Sequence, residues 1–343
     1  QHHKLANLTV KTSNLCSEIT LPTGIDKNGR DRTAVCCLSS LNLEKYDEWK
    51  DDKMMINDVM RFLDNVLTDF IDRAPDQFAD AKYSAGRERS VGLGVMGFHS
   101  YLQKNQIPLE SVMSKVWNKK IFKHIQENVD QASKDLADER GACPDAAEYG
   151  FNERFSNKTA IAPTASISII CGGASPGVEP VAANSYTHKT LSGSFNVRNR
   201  YLVELLEKYG KNTDEVWSGI TTNQGSVSHL DFLTDLEKDV FKTAFELDQK
   251  WIIELSGDRT PHISQAQSIN LFLAADVHKK ELHKIHFDAW KKGLKSLYYC
   301  RSKSIQRAEN VNDSKSTDIL ANVYKQKPTA EKDPEYEECL SCQ

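Results

Sequence analysis

Apolar residues recur along this chain with two spacings, one typical of amphipathic helices and one of short buried strands. The helical spacing occurs in three segments, residues 51–71, 111–137 and 276–293. In the first of these, Phe62 and Val66 belong to the apolar stripe that we expect to face the core. Short apolar runs predict buried strands at residues 34–38 and 268–273. This alternation of helices and strands predicts an α/β fold.

Composition narrows the function without choosing one. With 39% hydrophobic residues and a net charge of -4, the 343 residues have an ordinary globular composition without the basic excess of nucleic-acid-binding proteins. No apolar run approaches the roughly 18 residues of a membrane span, and the first residues lack the features of a signal peptide. The eight cysteines are neither dense nor regularly spaced, which favours a reducing compartment. We therefore predict a cytoplasmic protein with no nucleic-acid or membrane partner.

The end of the chain differs in character from the rest. Residues 301–343 are charged and contain few large apolar residues, which predicts a flexible tail after a folded part at residues 1–300. The tail ends with Cys339 and Cys342 in a Cys-x-x-Cys pair. A zinc site usually needs a second such pair, and none lies nearby, so a dithiol that exchanges with other thiols is the better interpretation.

A pentad near the start of the chain places a thiol between an amide and a carboxylate. If residues 14–18 are extended, Asn14, Cys16 and Glu18 share one face, while Leu15 and Ser17 point away. A thiol beside a hydrogen-bonding amide and a potential base can do chemistry on a substrate held above that face. The alternative is a half-buried cysteine in a polar strand or loop.

Two further segments could bind phosphate. Residues 92–97 have the glycine spacing of dinucleotide-binding proteins, but polar residues precede them where a strand should lead in. We therefore expect these glycines to let a helix that begins near Ser90 pack closely against a neighbour. Residues 160–168 run from an apolar strand into hydroxyl residues, where the free amides of a helix start could bind phosphate. Ordinary helix capping is the alternative.

Two adjacent tyrosines, Tyr298 and Tyr299, follow the third predicted helix in a short β-prone segment. Adjacent residues in a strand point to opposite faces, and such pairs usually serve packing. Taken singly, the pair is therefore interpreted as structural.

Five motifs occur in a fixed order along the chain. They are Asn14-Leu15-Cys16-x-Glu18, Val35-Cys36-x-Leu38-Ser39, Pro163-Thr164-Ala165-Ser166, Leu297-Tyr298-Tyr299 and Cys339-x-x-Cys342. This order resembles that of the large catalytic subunit of class I ribonucleotide reductase, and the resemblance extends from about Ser13 to the last residue. It implies the C-terminal part of the ten-stranded α/β barrel of that family, with Cys16 on a loop inside the barrel.

The resemblance implies roles for the first two motifs. Cys16 would carry the thiyl radical that takes the 3′ hydrogen from the ribose, because the S–H bond is weak. Glu18 would be the base on the 3′ hydroxyl, and Asn14 would position the sugar and that carboxylate. Cys36 would be one member of the dithiol that reduces the 2′ position, whereas Cys37 matches no catalytic position.

The other motifs would deliver the radical, the electrons and the substrate. Tyr299 and then Tyr298 would relay the radical to Cys16, and Cys339 and Cys342 would re-reduce the oxidised site. The substrate phosphates would be met, largely by backbone amides, at Pro163, Thr164, Ala165, Ser166 and Ser168.

Cofactors and partners are also implied. The chain itself would bind no cofactor or metal, since a metal-containing small subunit would generate the radical. Reducing equivalents would come from thioredoxin or glutaredoxin, and the substrate would be a ribonucleoside diphosphate.

Two features depart from the family pattern. Many relatives have an acidic residue in the phosphate loop at the position of Ala165, which leaves open the groups that contact the phosphate here. The second cysteine of the dithiol belongs to the family's N-terminal half, and no cysteine precedes Cys16. We therefore expect a C-terminal fragment or split polypeptide that works with a separate chain bearing the N-terminal half.

Two alternatives stay open. A class II or glycyl-radical relative could share the barrel and the cysteine loop, although the tyrosine pair favours a radical delivered by another protein. From a different functional class, the chain could be a thiol-disulfide exchange protein or a non-catalytic partner-binding fragment. The intact Asn14, Cys16 and Glu18 argue against a decayed enzyme.

Overall fold

The computed structural model describes residues 2–190 and 193–302. The helices are α1 (His2–Leu5), α2 (Tyr46–Trp49), α3 (Met55–Arg73), α4 (Ala79–Glu88), α5 (Phe98–Lys104), α6 (Val112–Arg140), α7 (Pro144–Ala147), α8 (Ala165–Ile170), α9 (Arg200–Lys208), α10 (Asp214–Thr222), α11 (Asp235–Val240), α12 (Gln249–Arg259) and α13 (Lys279–Lys291). The strands are β1 (Gly24–Ile25), β2 (Asp31–Arg32), β3 (Leu38–Asn42), β4 (Gly92–Met96), β5 (Ser185–Thr190), β6 (Gly193–Arg198), β7 (Leu271–Leu273) and β8 (Cys300–Ser302). Cys339 and Cys342 lie outside the described residues.

Parallel pairings connect extended segments from distant parts of the chain. β3 pairs in parallel with β4, and Leu93 of β4 forms a parallel bridge with Thr159. Ile161 then bridges Gln267, and β7 pairs in parallel with β8. Helices occupy the connections between these segments, as parallel strands require. The predicted α/β class is therefore confirmed.

The helices pack around these strands in a shared core. Leu63 of α3, Phe98 of α5, Ile125 of α6 and Leu255 of α12 belong to one hydrophobic cluster with Leu93 of β4. Side chains from α9, α10 and α11 form a second cluster of their own. The segments that contact Cys16 lie next to the parallel strands and not in the second cluster.

The three long helices predicted from periodicity are present as α3, α6 and α13. Ser111 caps α6, because its hydroxyl accepts a hydrogen bond from the Ser114 amide. The predicted stripe of α3 is wrong in part, since Phe62 is 60% exposed and Val66 is 43% exposed. The side of α3 that carries Asp64 faces the interior instead, because the buried Asp64 carboxylate forms ion pairs with three arginines. They are Arg89, Arg140 and Arg154.

The predicted strands are shifted along the chain. The first begins at Leu38 instead of residue 34, because pairing with β4 starts where Leu38 faces Gly92. Residues 34–37 have no regular structure. The second predicted strand is regular only at Leu271–Leu273, where it pairs with β8. The apolar runs therefore did not predict which residues pair in a strand.

The glycine-rich segment forms β4, so the expectation of a helix beginning near Ser90 is wrong. A Cβ atom on Gly94 would overlap the backbone carbonyl of Ala160, and one on Gly92 would overlap side chains of Leu38 and Ala160. The glycines therefore let neighbouring extended segments approach closely. The close approach of these segments explains the glycines without a bound nucleotide.

We expect Gly94→Ala to destabilise the chain by about 3 kcal/mol, because the added methyl group must displace the backbone at Ala160. Gly86→Ala in α4 is the matched control, since a methyl group added there would have no other atom within 4 Å. That change should stabilise the helix by about 0.5 to 1 kcal/mol. Urea unfolding of the two variants measures both effects, and equal stabilities would contradict the close approach.

Candidate active site

Residues 14–18 form a turn and not the extended segment considered from the sequence. The Ser17 amide donates to the Asn14 carbonyl at 3.1 Å, and Ser17 has a φ of +67°. The Asn14 side chain closes the turn, because its Oδ1 accepts from the Ile19 amide at 3.0 Å. The positive φ reverses the chain, so Asn14, Cys16 and Glu18 do not line one face of a strand.

This turn buries the two reactive side chains while leaving a large apolar one outside. Cys16 is fully buried and Glu18 is 1% exposed, whereas Leu15 is 67% exposed. Exposing a leucine to bury a carboxylate runs against the hydrophobic effect, so local preference does not explain the turn. Contacts with distant segments hold it in place.

Ser268, just before β7, binds the turn at two points. Its hydroxyl donates to Glu18 Oε2 at 3.1 Å and also contacts the Cys16 carbonyl oxygen. Nearby, the Ala266 amide donates to the Glu18 carbonyl at 2.9 Å. Sequence reasoning missed Ser268, because 250 residues separate it from Glu18 and it lies in no recognisable motif.

The two tyrosines extend from Cys16 toward the surface. The Tyr298 hydroxyl is hydrogen-bonded to Cys16 and to Tyr299. Burial, reinforced by these hydrogen bonds, raises the pKa of Tyr298 above its ordinary value. The two ring centroids are 4.1 Å apart with an interplanar angle of 38°, and Tyr299 is 50% exposed. The rings do not point to opposite faces, because both residues precede β8 and lie outside a regular strand.

The adjacent cysteines Cys36 and Cys37 differ in environment. Cys36 is exposed just before β3, whereas Cys37 is buried and its thiol contacts the Leu63 carbonyl at 3.8 Å. Burial raises the pKa of the Cys37 thiol to about 11, which disfavours the thiolate. That Cys37 has no catalytic position stays a prediction.

The segment around Cys36 lies beside the segment that follows the Cys16 turn. Ile19 and Leu21 form a small buried cluster with Ala160, and Ala34 and Leu38 pack against it. The fold therefore brings the first three motifs of the sequence to one region.

The predicted phosphate loop follows the extended segment that contains Ile161. Thr164 has a φ of +56° and its hydroxyl accepts from the Gly177 amide at 2.7 Å. The hydroxyl does not cap α8, so the capping alternative is wrong for this residue. Ser168 is buried and donates to the Ala165 carbonyl at 3.2 Å, while Pro163 is buried and Ser166 is exposed.

The described residues have two properties that bear on metal ions and membranes. No group of three or more histidine, cysteine, aspartate or glutamate side chains within residues 2–190 and 193–302 is arranged to hold a metal ion. None of the helices in that part of the chain is long and apolar enough to cross a membrane.

The chain matches the model of the ribonucleotide reductase barrel domain over residues 1–154 and 144–300. It belongs to the ribonucleotide reductase family. The resemblance predicted from the five motifs is therefore confirmed, as is the assignment to the α/β barrel of this family.

Named relatives of this ribonucleotide reductase chain are large subunits. It is 51% identical over 303 residues to the ribonucleoside-diphosphate reductase large subunit of Invertebrate iridescent virus 6, covering 87% of this chain and 31% of the relative. It is 41% identical over 344 residues to the putative large subunit of Frog virus 3 (isolate Goorha), covering 99% and 56%. The chain thus spans about a third to just over half of the length of these relatives.

A solved structure extends the comparison to three dimensions. The Actinobacillus ureae class Id ribonucleotide reductase alpha subunit superimposes with a TM-score of 0.81 at 40% identity. The match covers 88% of this chain and 55% of that one. Family and fold are therefore known, whereas the roles of individual residues stay predictions.

Proposed function

We propose that this chain is part of the large subunit of a ribonucleoside-diphosphate reductase and contributes its radical site. The observation that carries the proposal is the continuous contact from Cys16 through Tyr298 to Tyr299. The enzyme would reduce ribonucleotides to the deoxyribonucleotides used in DNA replication.

The contact series provides a path for hydrogen atoms. A radical in a metal-containing small subunit would first take the electron and the proton of the Tyr299 hydroxyl. Tyr299 would then take a hydrogen atom from the Tyr298 hydroxyl, and Tyr298 would take one from the Cys16 thiol. Each phenol regains its O–H bond, and the sulfur is left as a thiyl radical. Because the partners are already hydrogen-bonded, each proton moves over a short distance.

The turn residues would act on the ribose. Cys16 would take the 3′ hydrogen and Glu18 the proton of the 3′ hydroxyl, after which the 2′ hydroxyl leaves as water. Ser268 would orient Glu18 through its 3.1 Å hydrogen bond. The side-chain Oδ1 of Asn14 accepts from the Ile19 amide, so the side-chain NH2 group of Asn14 would donate to the sugar.

The electrons would come from a dithiol that includes Cys36. Reduction of the 2′ position consumes two electrons and two protons, which converts the dithiol into a disulfide, and Cys16 then returns the 3′ hydrogen. Its exposure makes the Cys36 thiol accessible to substrate and partners. Cys339 and Cys342 would reduce that disulfide and would themselves be restored by a thioredoxin- or glutaredoxin-like protein.

The substrate phosphates would meet the loop before α8. Ala165 offers no charge, so the backbone amides of the loop and the hydroxyls of Thr164 and Ser166 would recognise the phosphate. The Thr164 hydroxyl accepts from the Gly177 amide, and its own O–H group could still donate to a phosphate oxygen. Pro163 and Ser168, both buried, would shape this loop.

The rest of the pocket would come from the portion of a large subunit that this chain does not span. We therefore expect ribonucleoside diphosphate reduction when the chain is combined with that portion, a radical-generating small subunit and a dithiol reductant. Product deoxyribonucleotide is the measurement. Turnover by the chain with the small subunit alone would refute the need for the other portion. An inactive complete assembly that binds substrate would refute the proposed function.

A further inference from the structure

A buried carboxylate lies behind the tyrosine pair. Glu179, in the loop after α8, accepts a hydrogen bond from the Asn270 side-chain NH2 group. The other end of that side chain, Oδ1, accepts from the backbone amide of Tyr299 at 3.1 Å. Glu179 is 8% exposed and Asn270 is 1% exposed, so water contributes little to either contact.

The contact with Asn270 completes the binding of the tyrosine backbone. The Tyr298 amide donates to the Ile269 carbonyl at 2.8 Å, and the Leu271 amide donates to the Tyr299 carbonyl at 2.9 Å. Tyr298 and Tyr299 lie outside a regular strand, and the Tyr299 amide binds a side-chain oxygen of the neighbouring segment. Asn270 supplies its acceptor, and Glu179 in turn holds the Asn270 amide group.

A charged acceptor for Asn270 is energetically unfavourable at this buried position. Burial raises the pKa of Glu179 to about 7, against the lowering effects of Arg301 and of the Asn270 hydrogen bond. Arg301 also lies over the Tyr299 ring, 5.8 Å from its centroid. A neutral acceptor would hold Asn270 with less desolvation of charge. The carboxylate and the arginine thus both bear on Tyr299.

We propose that Glu179 is a positioning residue for the radical relay and acts through Asn270 on the backbone of Tyr299. It keeps the Tyr299 ring in its tilted contact with the ring of Tyr298, which contacts Cys16. The inference rests on the proposed function, because a relay gives the ring positions a chemical consequence. Neither Glu179 nor Asn270 touches the substrate in this role.

Three variants of the complete enzyme test the proposal. Glu179→Leu removes the acceptor, and we expect kcat to fall on the order of 10²-fold with an unchanged KM, since small displacements of reacting groups have such effects. Glu179→Gln keeps an acceptor for Asn270 and should restore most of kcat. Asn184→Leu is the control. Asn184 is as buried as Asn270, and its side-chain NH2 group donates to the backbone oxygens of Phe241 and Gly225. This substitution should leave kcat unchanged.

A crystal structure of the Glu179→Leu chain gives a result that does not depend on turnover. We expect the separation of the two tyrosine rings to depart from 4.1 Å in this variant and to be kept in Glu179→Gln. Unchanged rings or an unchanged kcat in Glu179→Leu would overturn the positioning role. If the unsubstituted enzyme has no reductase activity, the proposed function fails, and the ring separation still decides the role of Glu179.

Discussion

Replacing Cys16 with serine should abolish ribonucleotide reduction, with turnover falling roughly 10⁴-fold or more, as for other residues that carry a reaction step. An O–H bond is much stronger than an S–H bond, so serine cannot give its hydrogen to a Tyr298 radical or take the 3′ hydrogen. The turn should survive, because the Asn14 side chain and Ser268 hold it through backbone atoms. Product formation, substrate affinity and sedimentation of the complex separate lost chemistry from lost assembly.

Cys37→Ser is the matched control for this prediction. Cys37 is also buried, but it belongs to the hydrophobic core and its thiol contacts the Leu63 carbonyl. We expect a loss of stability of about 1 to 2 kcal/mol and near-normal turnover. Retained activity in Cys16→Ser would contradict the radical role of this cysteine, whatever the control shows.

Tyr298→Phe should also stop turnover while keeping the structure. Phenylalanine can keep the ring contact with Tyr299, but it lacks the O–H bond that must be broken and re-formed in the relay. We expect turnover to fall by roughly 10³-fold or more, because the remaining gap between Tyr299 and Cys16 has no hydrogen donor. The free energy of unfolding should fall by about 1 to 3 kcal/mol, the value of the two hydrogen bonds that the Tyr298 hydroxyl makes.

Loss of the small-subunit radical on addition of substrate is the second measurement for Tyr298→Phe. In the unsubstituted enzyme the radical signal should respond to substrate, whereas in the variant it should persist. Tyr46→Phe serves as the control, since the Tyr46 hydroxyl contacts His124 Nδ1 at 3.1 Å in the core. A Tyr298→Phe enzyme with more than about a tenth of normal turnover would show that Tyr298 is dispensable, since a blocked relay costs far more.

The sequence predicted the family through the order of its motifs, and the comparisons confirmed it. The fold brings Cys16, Tyr298 and Tyr299 into contact, while their roles in a relay stay predictions. Glu18 is buried beside Cys16, although by a turn and not by the alternation of a strand. Cys339 and Cys342 lie outside the described residues, so the exchange role of that pair stays a prediction.

The prediction of the glycine segment failed for a physical reason. Glycine spacing indicates positions at which a side chain would not fit. It does not indicate which group occupies the space that the side chain would need. At Gly94 the excluding group is the backbone of Ala160, 66 positions further along the chain. The same sequence pattern at a nucleotide site would reflect a bound pyrophosphate instead.

The sequence by itself determined the features that depend on near neighbours. The periodicity of α3, α6 and α13, the cap at Ser111 and the types of residue available for chemistry are all local. Only the tertiary structure decided the turn at Cys16, the ring contact of the two tyrosines and the hydrogen bonds of Ser268 and Glu179. Ser268 is 250 residues from Glu18, and Glu179 is 91 residues from Asn270. Hydrogen bonds across such separations depend on how the parallel strands pair, and no local pattern encodes that pairing.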